Sequence, residues 1–246
     1  MHSMTNKIHE TIELLKSTDI YGCITGSSLL ESDFDDWDTP PDVDVFVFSQ
    51  QALIHAVTLL MEKYGFEPGS ETDKSSKGET WKIDRSITHG MQKNFPLSTI
   101  KLRKDGVIVN ITFRKYQTSV LDILSNFDMS IVMRGYDIRK HIDVDLRKLI
   151  DAPFTTAVPN PFRDQDTDMY TVMQWVRQFD RVIKYWQRGF DTRPMARFYL
   201  NAIDDVIETG AIFDTDKAMS LYDEFVEQFK EIREKISAWL ADKEEC

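Results

Sequence analysis

Gly26-Ser27-Ser28-Leu29-Leu30 and Asp42-Val43-Asp44-Val45-Phe46-Val47-Phe48 are the two stretches whose joint reading decides this chain. The first is a small, flexible turn. The second is an apolar strand that begins with two carboxylates at i and i+2. Side chains alternate along a strand, so Asp42 and Asp44 are expected on one face, about 7 Å apart along the backbone. Two like charges so placed repel each other unless a cation lies between them. Magnesium or manganese is the expected ion, because it favours carboxylate oxygens and takes further ligands from substrate phosphates. The glycine permits close backbone approach, and the Ser27 hydroxyl and neighbouring N–H groups can donate to phosphate oxygens. The bland alternative is that the two acids are solvated residues of an acidic chain.

Composition sets bounds around that pair. The 246 residues, 41% of them apolar, suffice for one large core or two modest ones. No run of eighteen apolar residues and no basic, apolar leader is visible, so neither a membrane span nor a secretory signal is expected, and the cytoplasm is the expected location. The two cysteines, Cys23 and Cys246, exclude a disulfide framework and a thiolate zinc site, and Cys23 reads as a small core residue. A net charge of −11 opposes loose binding to nucleic acid, which depends on lysine and arginine against phosphate.

Outward from the two stretches, the first part of the chain mixes strands and helices. Ile8, Ile12, Leu14 and Leu15 predict a helix over 5–17, capped by Thr5 or Asn6. Residues 20–25 predict a strand running into the Gly26 turn, 27–30 a helical turn, and 31–41 an acidic loop with no element of its own. A strand at 43–48 precedes a helix over 50–64 whose stripe is Leu53, Ile54, Val57, Leu60 and Met61, ended by Gly65. A mobile loop is expected over 67–80 and a strand over 81–87. Asp105-Gly106 marks a hairpin between 98–102 and 107–113, and 118–125 reads as helical.

From about residue 166 the period is helical throughout, over 166–188, 194–208 and 216–242. The expected class is therefore α+β: a mixed sheet with flanking helices over 1–150, then a helical region over 151–246. Arg177, Arg181, Lys184 and Arg188 recur at helical spacing and form one basic stripe, either a solvated face or a grip for phosphate. His55, His89 and His141 have no ligand spacing and read as structural or surface residues.

Several segments in this order resemble the nucleotidyltransferase superfamily of DNA polymerase β type, in particular the head and neck of CCA-adding enzymes and bacterial poly(A) polymerases. Gly26-Ser27 with Asp42 and Asp44 looks like the family's turn and Asp-x-Asp strand. Val107 to Arg114 is similar to its next strand, Asn126 to Met133 to its head-to-neck motif, and Arg181 to Phe190 to its neck helix. The resemblance covers roughly residues 20–190 and implies a nucleotidyltransferase-type sheet. It also implies transfer of a nucleoside monophosphate from a triphosphate such as ATP, with Mg²⁺, to a hydroxyl of RNA, a protein or a small molecule. Asp42 and Asp44 would hold the metal, while Gly26, Ser27, Arg177, Arg181 and Lys184 would face the nucleotide.

One departure bears on catalysis. The third carboxylate of the superfamily corresponds to Asn110, and an amide carries no charge and is no general base. Either Asp84, Asp105 or Asp128 takes that role, or the role is dispensable, or the chain is a nucleotide-binding or interaction module that does not turn over. Asn126 replaces the arginine that opens the head-to-neck motif, and the base-reading pattern of tRNA-tailing enzymes is not clear near Gln178 to Arg181, so CCA addition is not implied.

Overall fold

In the computed structural model, which describes residues 3–69, 97–163, 172, 179–209 and 216–244 (side chains of 97, 98, 209 and 216–225 excepted), the two decisive stretches enter neighbouring strands. β1 (Gly22–Thr25) and β2 (Val43–Val47) run antiparallel, with Thr25 opposite Asp44 and Cys23 opposite Phe46. A tight hairpin lies on the other side of β2. β4 (Leu97–Lys104) and β5 (Val107–Arg114) flank Asp105 and Gly106, whose φ values of 53° and 88° suit a primed two-residue turn. β5 runs parallel to β2 and sets Asn110 beside Asp44. With β3 (Glu67–Pro68), β6 (Arg134–Asp137) and β7 (Ile142–Asp145), the described strands form one mixed seven-stranded sheet in the order β3-β4-β5-β2-β1-β6-β7.

Alternation along β2 explains how the sheet is covered. Val43, Val45 and Val47 face one side, where they join Ile24, Val109 and Ile111. Onto that side pack α1 (Met4–Lys16), through Ile8, Ile12 and Leu15, and α2 (Gln50–Glu62), through Leu53, Ala56, Val57 and Leu60. Phe46 and Phe48 face the other side with Cys23, under Val120, Ile123 and Leu124 of the short α3 (Val120–Leu124). Ile54 and Met61, expected in the α2 stripe, are only partly buried, and Ala52 and Ala56 take the inner positions.

Three expectations need correction. The N-cap of α1 is Ser3, whose hydroxyl accepts from the Asn6 N–H at 3.2 Å; Thr5 is already inside the first turn. The acidic loop holds a 3₁₀ turn at Phe34–Asp36 and is anchored by Phe34, fully buried between His9 and Trp37. Thr5 ties the two together: its hydroxyl donates to Asp33 and accepts from the Phe34 N–H. Replacing Phe34 by alanine empties a packed site and is expected to cost about 3–5 kcal/mol in urea denaturation. The third correction is the β6-β7 hairpin, which the sequence reading did not anticipate. The strand expected over 81–87 and most of the loop expected over 67–80 lie outside the described residues.

The β7 end of the sheet holds a well-buried ion pair. Arg147 Nε and Nη2 donate to the two Asp145 carboxylate oxygens, both at 2.7 Å. Burial disfavours the Asp145 charge, but these hydrogen bonds prevail and hold its pKa below the ordinary value. A depressed native pKa stabilises the fold at neutral pH, and the contribution fades as pH falls past the unfolded-chain value of about 3.9. Urea midpoints followed from roughly pH 6 to pH 2.5 are expected to fall less steeply in Asp145→Asn than in the parent chain.

The chain divides into two compact units, one of residues 1–127 and 132–149, the other of 128–131 and 150–246. The second holds an irregular segment over 150–163 and the described helices α4 (Phe179–Gln187), α5 (Arg193–Thr209) and α6 (Asp216–Glu244). Phe179 and Trp186 meet Trp239 edge to face, with Tyr199, Phe229 and Ile236 buried. Between α4 and α5, Gly189 takes φ 86° and the Thr192 hydroxyl donates to the Val182 carbonyl at 3.0 Å. Residues 128–131 belong to this unit, where Ser130 bonds Val158 and Met129 forms an isolated bridge with Pro159.

Candidate functional site

The face of β2 that carries Phe46 and Phe48 also carries Asp44, and pairing extends the row on both sides. Directly opposed residues share a face, so Lys101, Asn110, Asp44 and Thr25 lie side by side on β4, β5, β2 and β1. α3 covers the phenylalanine end of this face, while Asp42 and Asp44 stay partly exposed at the other. Asp42 stands just before β2, two residues from Asp44.

Asn110 brings the two acids together. Its Nδ2 donates to Asp42 Oδ2 at 3.0 Å and to Asp44 Oδ1 at 2.9 Å. Both donors of the amide are thereby used, and its Oδ1 is buried without a hydrogen-bond partner. Beside it, Thr25 is fully buried and its Oγ1 is likewise unpartnered. A Cβ added to Gly135 would lie 3.3 Å from the Thr25 Cγ2, so the methyl faces β6. Ser28, 1% exposed, has a third unpartnered hydroxyl in the 3₁₀ turn Ser27–Leu29.

Gly26 completes the group. Its φ of 83° falls in the left-handed region, and a Cβ there would stand 2.6 Å from Asp44 Oδ2. The carboxylate of Asp44 therefore rests against the turn that carries Ser27. Of the sequence-predicted residues, Gly26, Ser27, Asp42, Asp44 and Asn110 belong to one unit, and four of them touch or crowd one another. Thr25 and Ser28 were not singled out by sequence reading. Alternation along β1 puts Thr25 on the face of Cys23, and the pairing with β2 puts it beside Asp44.

The basic stripe belongs to the other unit. Arg181 Nη1 donates to both carboxylate oxygens of Asp128, at 2.8 and 2.7 Å. Burial opposes the Arg181 charge, but Asp128 holds its pKa above the ordinary arginine value, and burial with Asp128 pushes the Tyr199 phenol up. Lys184 is exposed on the same helix, and Arg177 lies outside the described residues. Asp128 is 5% exposed at its side chain, so Asp128→Ala removes the carboxylate that a partly buried guanidinium donates to; a loss of about 2–3 kcal/mol in urea denaturation is expected.

The acids considered for the third role are accounted for in the same way. Asp128 is engaged with Arg181, Asp105 forms the β4-β5 turn, and Asp84 lies outside the described residues. Among the described residues no three His, Cys, Asp or Glu side chains gather into a group able to hold a metal. His55 pairs with Asp19 at 3.0 Å, and His141 approaches the Tyr136 hydroxyl at 3.3 Å. Burial and Asp137 raise the Cys23 thiol pKa, as expected of an inert core cysteine. No described helix is long and apolar enough to cross a membrane.

What remains is two carboxylates and one amide within hydrogen-bonding distance, beside a glycine-serine turn. The two carboxylates offer the anionic oxygens and partial exposure that a hard divalent cation needs, while Asn110 meets them with its N–H groups and its carbonyl oxygen has no partner. No family model matches this chain, and it matches no curated protein.

Proposed function

We propose that this chain is a metal-dependent nucleotidyltransferase, moving a nucleoside monophosphate from a triphosphate to an acceptor hydroxyl. The observation that carries the proposal is the convergence of Gly26, Asp42, Asp44 and Asn110, residues on which the resemblance was drawn, at one end of the β1-β2-β5 core. Asp42 and Asp44 would hold Mg²⁺ or Mn²⁺, with the Asn110 carbonyl as a third oxygen. When bound, the ion supplies charge neutralisation for the phosphates and the attacking oxygen.

The protein's own residues do the rest. Gly26 lets the backbone approach the phosphates without a side chain in the way, and Ser27 sits where its hydroxyl and N–H can donate to them. Lys101, exposed and one strand from Asn110 on the same face, adds a positive charge at about the 5 Å spacing of neighbouring strands. Positioning for in-line attack and neutralisation of charge account for most of the rate in such a site.

A second reading is favoured by one specific observation: an amide, and no third described acid, lies against the pair. On that reading the chain binds nucleotide without turnover. Thermal melting with each of the four ribonucleoside triphosphates plus Mg²⁺ or Mn²⁺, followed by incubation of cell extract with α-labelled nucleotide, separates the two. Stabilisation with label transferred to RNA, protein or a small molecule supports transfer; stabilisation without transfer supports binding alone. No stabilisation and no label under any combination overturns both.

A further inference from the structure

The odd member of the site is Asn110, and its hydrogen bonds suggest more than a missing acid. We propose that Asn110 is a cation-gated latch. With no cation between the acids, its amide N–H groups hold the Asp42 and Asp44 carboxylates together. When a divalent cation enters, the amide turns over and offers its carbonyl oxygen. This inference rests on the reading of the two acids as cation ligands.

The argument begins with the repulsion between the acids. Two carboxylates on one face of a strand need positive charge or hydrogen-bond donors between them. Asn110 supplies donors to both, at 3.0 and 2.9 Å, and is well suited because an amide has two N–H bonds and no charge of its own. In this orientation the carbonyl end is left buried and unpartnered, an unfavourable arrangement. The acids' demand for donors is therefore what keeps the amide turned this way.

A cation between the acids reverses that balance. An N–H dipole facing a cation is repelled, whereas the carbonyl oxygen is a good ligand for Mg²⁺, Mn²⁺ or Ca²⁺. A half-turn about the last side-chain bond exchanges the two ends with little change in volume, so the packing around β5 need not move. The liganded site then carries two negative charges, which match one divalent ion. The fully buried Thr25 hydroxyl beside Asp44 is a second group without a hydrogen-bond partner.

An aspartate at the same position would behave in the opposite way. Having no donors when ionised, it cannot bridge its neighbours, and it adds a third negative charge. Asn110→Asp is thus expected to melt below the parent chain in EDTA and to bind Mn²⁺ about tenfold more tightly, read from the free ion's electron paramagnetic resonance signal. The direct test uses the parent chain, so it survives a failure of that variant to fold. The side-chain amide proton pair of Asn110 is identified in a ¹H–¹⁵N spectrum by its absence from Asn110→Ala, and Mg²⁺ is then titrated.

A marked shift of that pair on Mg²⁺ addition, absent in Asp44→Asn, is the expected result. If the pair stays in place while Mg²⁺ still raises the melting temperature in an Asp44-dependent manner, the latch is overturned and the cation site stands. If neither Mg²⁺ nor Mn²⁺ affects the parent chain more than Asp44→Asn, the cation site is overturned and the latch with it.

Discussion

Asp44→Asn is expected to remove nucleotidyl transfer almost completely, lowering the rate by about 10³-fold or more, while the chain still folds. The substitution conserves shape, and an asparagine oxygen can still accept the Asn110 N–H that reaches Asp44 Oδ1 at 2.9 Å. What it removes is one of the two negative charges that β2 and the residue before it offer a cation. Asp42→Asn removes the other and is expected to act in the same direction. The charge difference, and not the fold, is then what the assay reads, so melting temperatures within a few degrees of the parent chain form part of the expected result. Asp105→Asn is the matched control. Asparagine tolerates the left-handed φ of 53° at that turn, and Asp105 accepts a Lys7 bond only through its backbone oxygen. Transfer at the parent rate in Asp105→Asn and its loss in Asp44→Asn would assign the chemistry to the β2 acids. Unchanged transfer in both Asp42→Asn and Asp44→Asn would sink the assignment.

Where the sequence was legible, a short-range pattern matched what the fold buries. β2 was readable because valines alternate with acids and phenylalanines, and both faces of the sheet are used: valines toward α1 and α2, phenylalanines toward α3. The β4-β5 turn was readable because Asp-Gly suits two successive positive φ values. β6 and β7 were not, since Arg134–Asp137 and Ile142–Asp145 are short and rich in charge. Their pairing is decided at a distance: Tyr136 lies opposite Ile24 of β1, and Arg134 bonds Asp143 across the hairpin. The acidic loop misled for a similar reason. Its composition is that of a solvated segment, but a single buried Phe34 and the Thr5 hydroxyl fix it to α1.

The same distinction runs through the candidate site. Gly26, Asp42 and Asp44 were visible as a turn and an alternating pair. The role of Asn110 as a bridge was not, because it depends on β5 lying parallel to β2 in one particular register. Helical spacing left the stripe of Arg181 open as a solvated face or a grip for phosphate, and such a pattern cannot reveal Asp128, 53 residues earlier, as a partner of its guanidinium.

Gly26→Ala is expected to separate the site from the fold more sharply than any charge change. Alanine at φ 83° and ψ −162° carries a backbone penalty of about 1–3 kcal/mol, enough to lower the melting temperature by roughly 2–12 °C. Its Cβ also arrives 2.6 Å from Asp44 Oδ2, a distance no real contact sustains. The atom it meets is the far end of a side chain and not backbone, so the carboxylate swings aside and β1 and β2 keep their register. The displaced Asp44 then leaves the Asn110 amide and the cation position together, and transfer and Mg²⁺-induced stabilisation are expected to fall as far as in Asp44→Asn. Gly65→Ala supplies the comparison: Gly65 has φ 70°, but nothing lies within 4 Å of its added Cβ. It also bears a backbone penalty at positive φ, with no carboxylate to move, so it is expected to melt lower while retaining full transfer. Equal losses of transfer in the two alanine variants would mean that backbone strain alone explains the effect, and that the contact between Gly26 and Asp44 has no part in the chemistry.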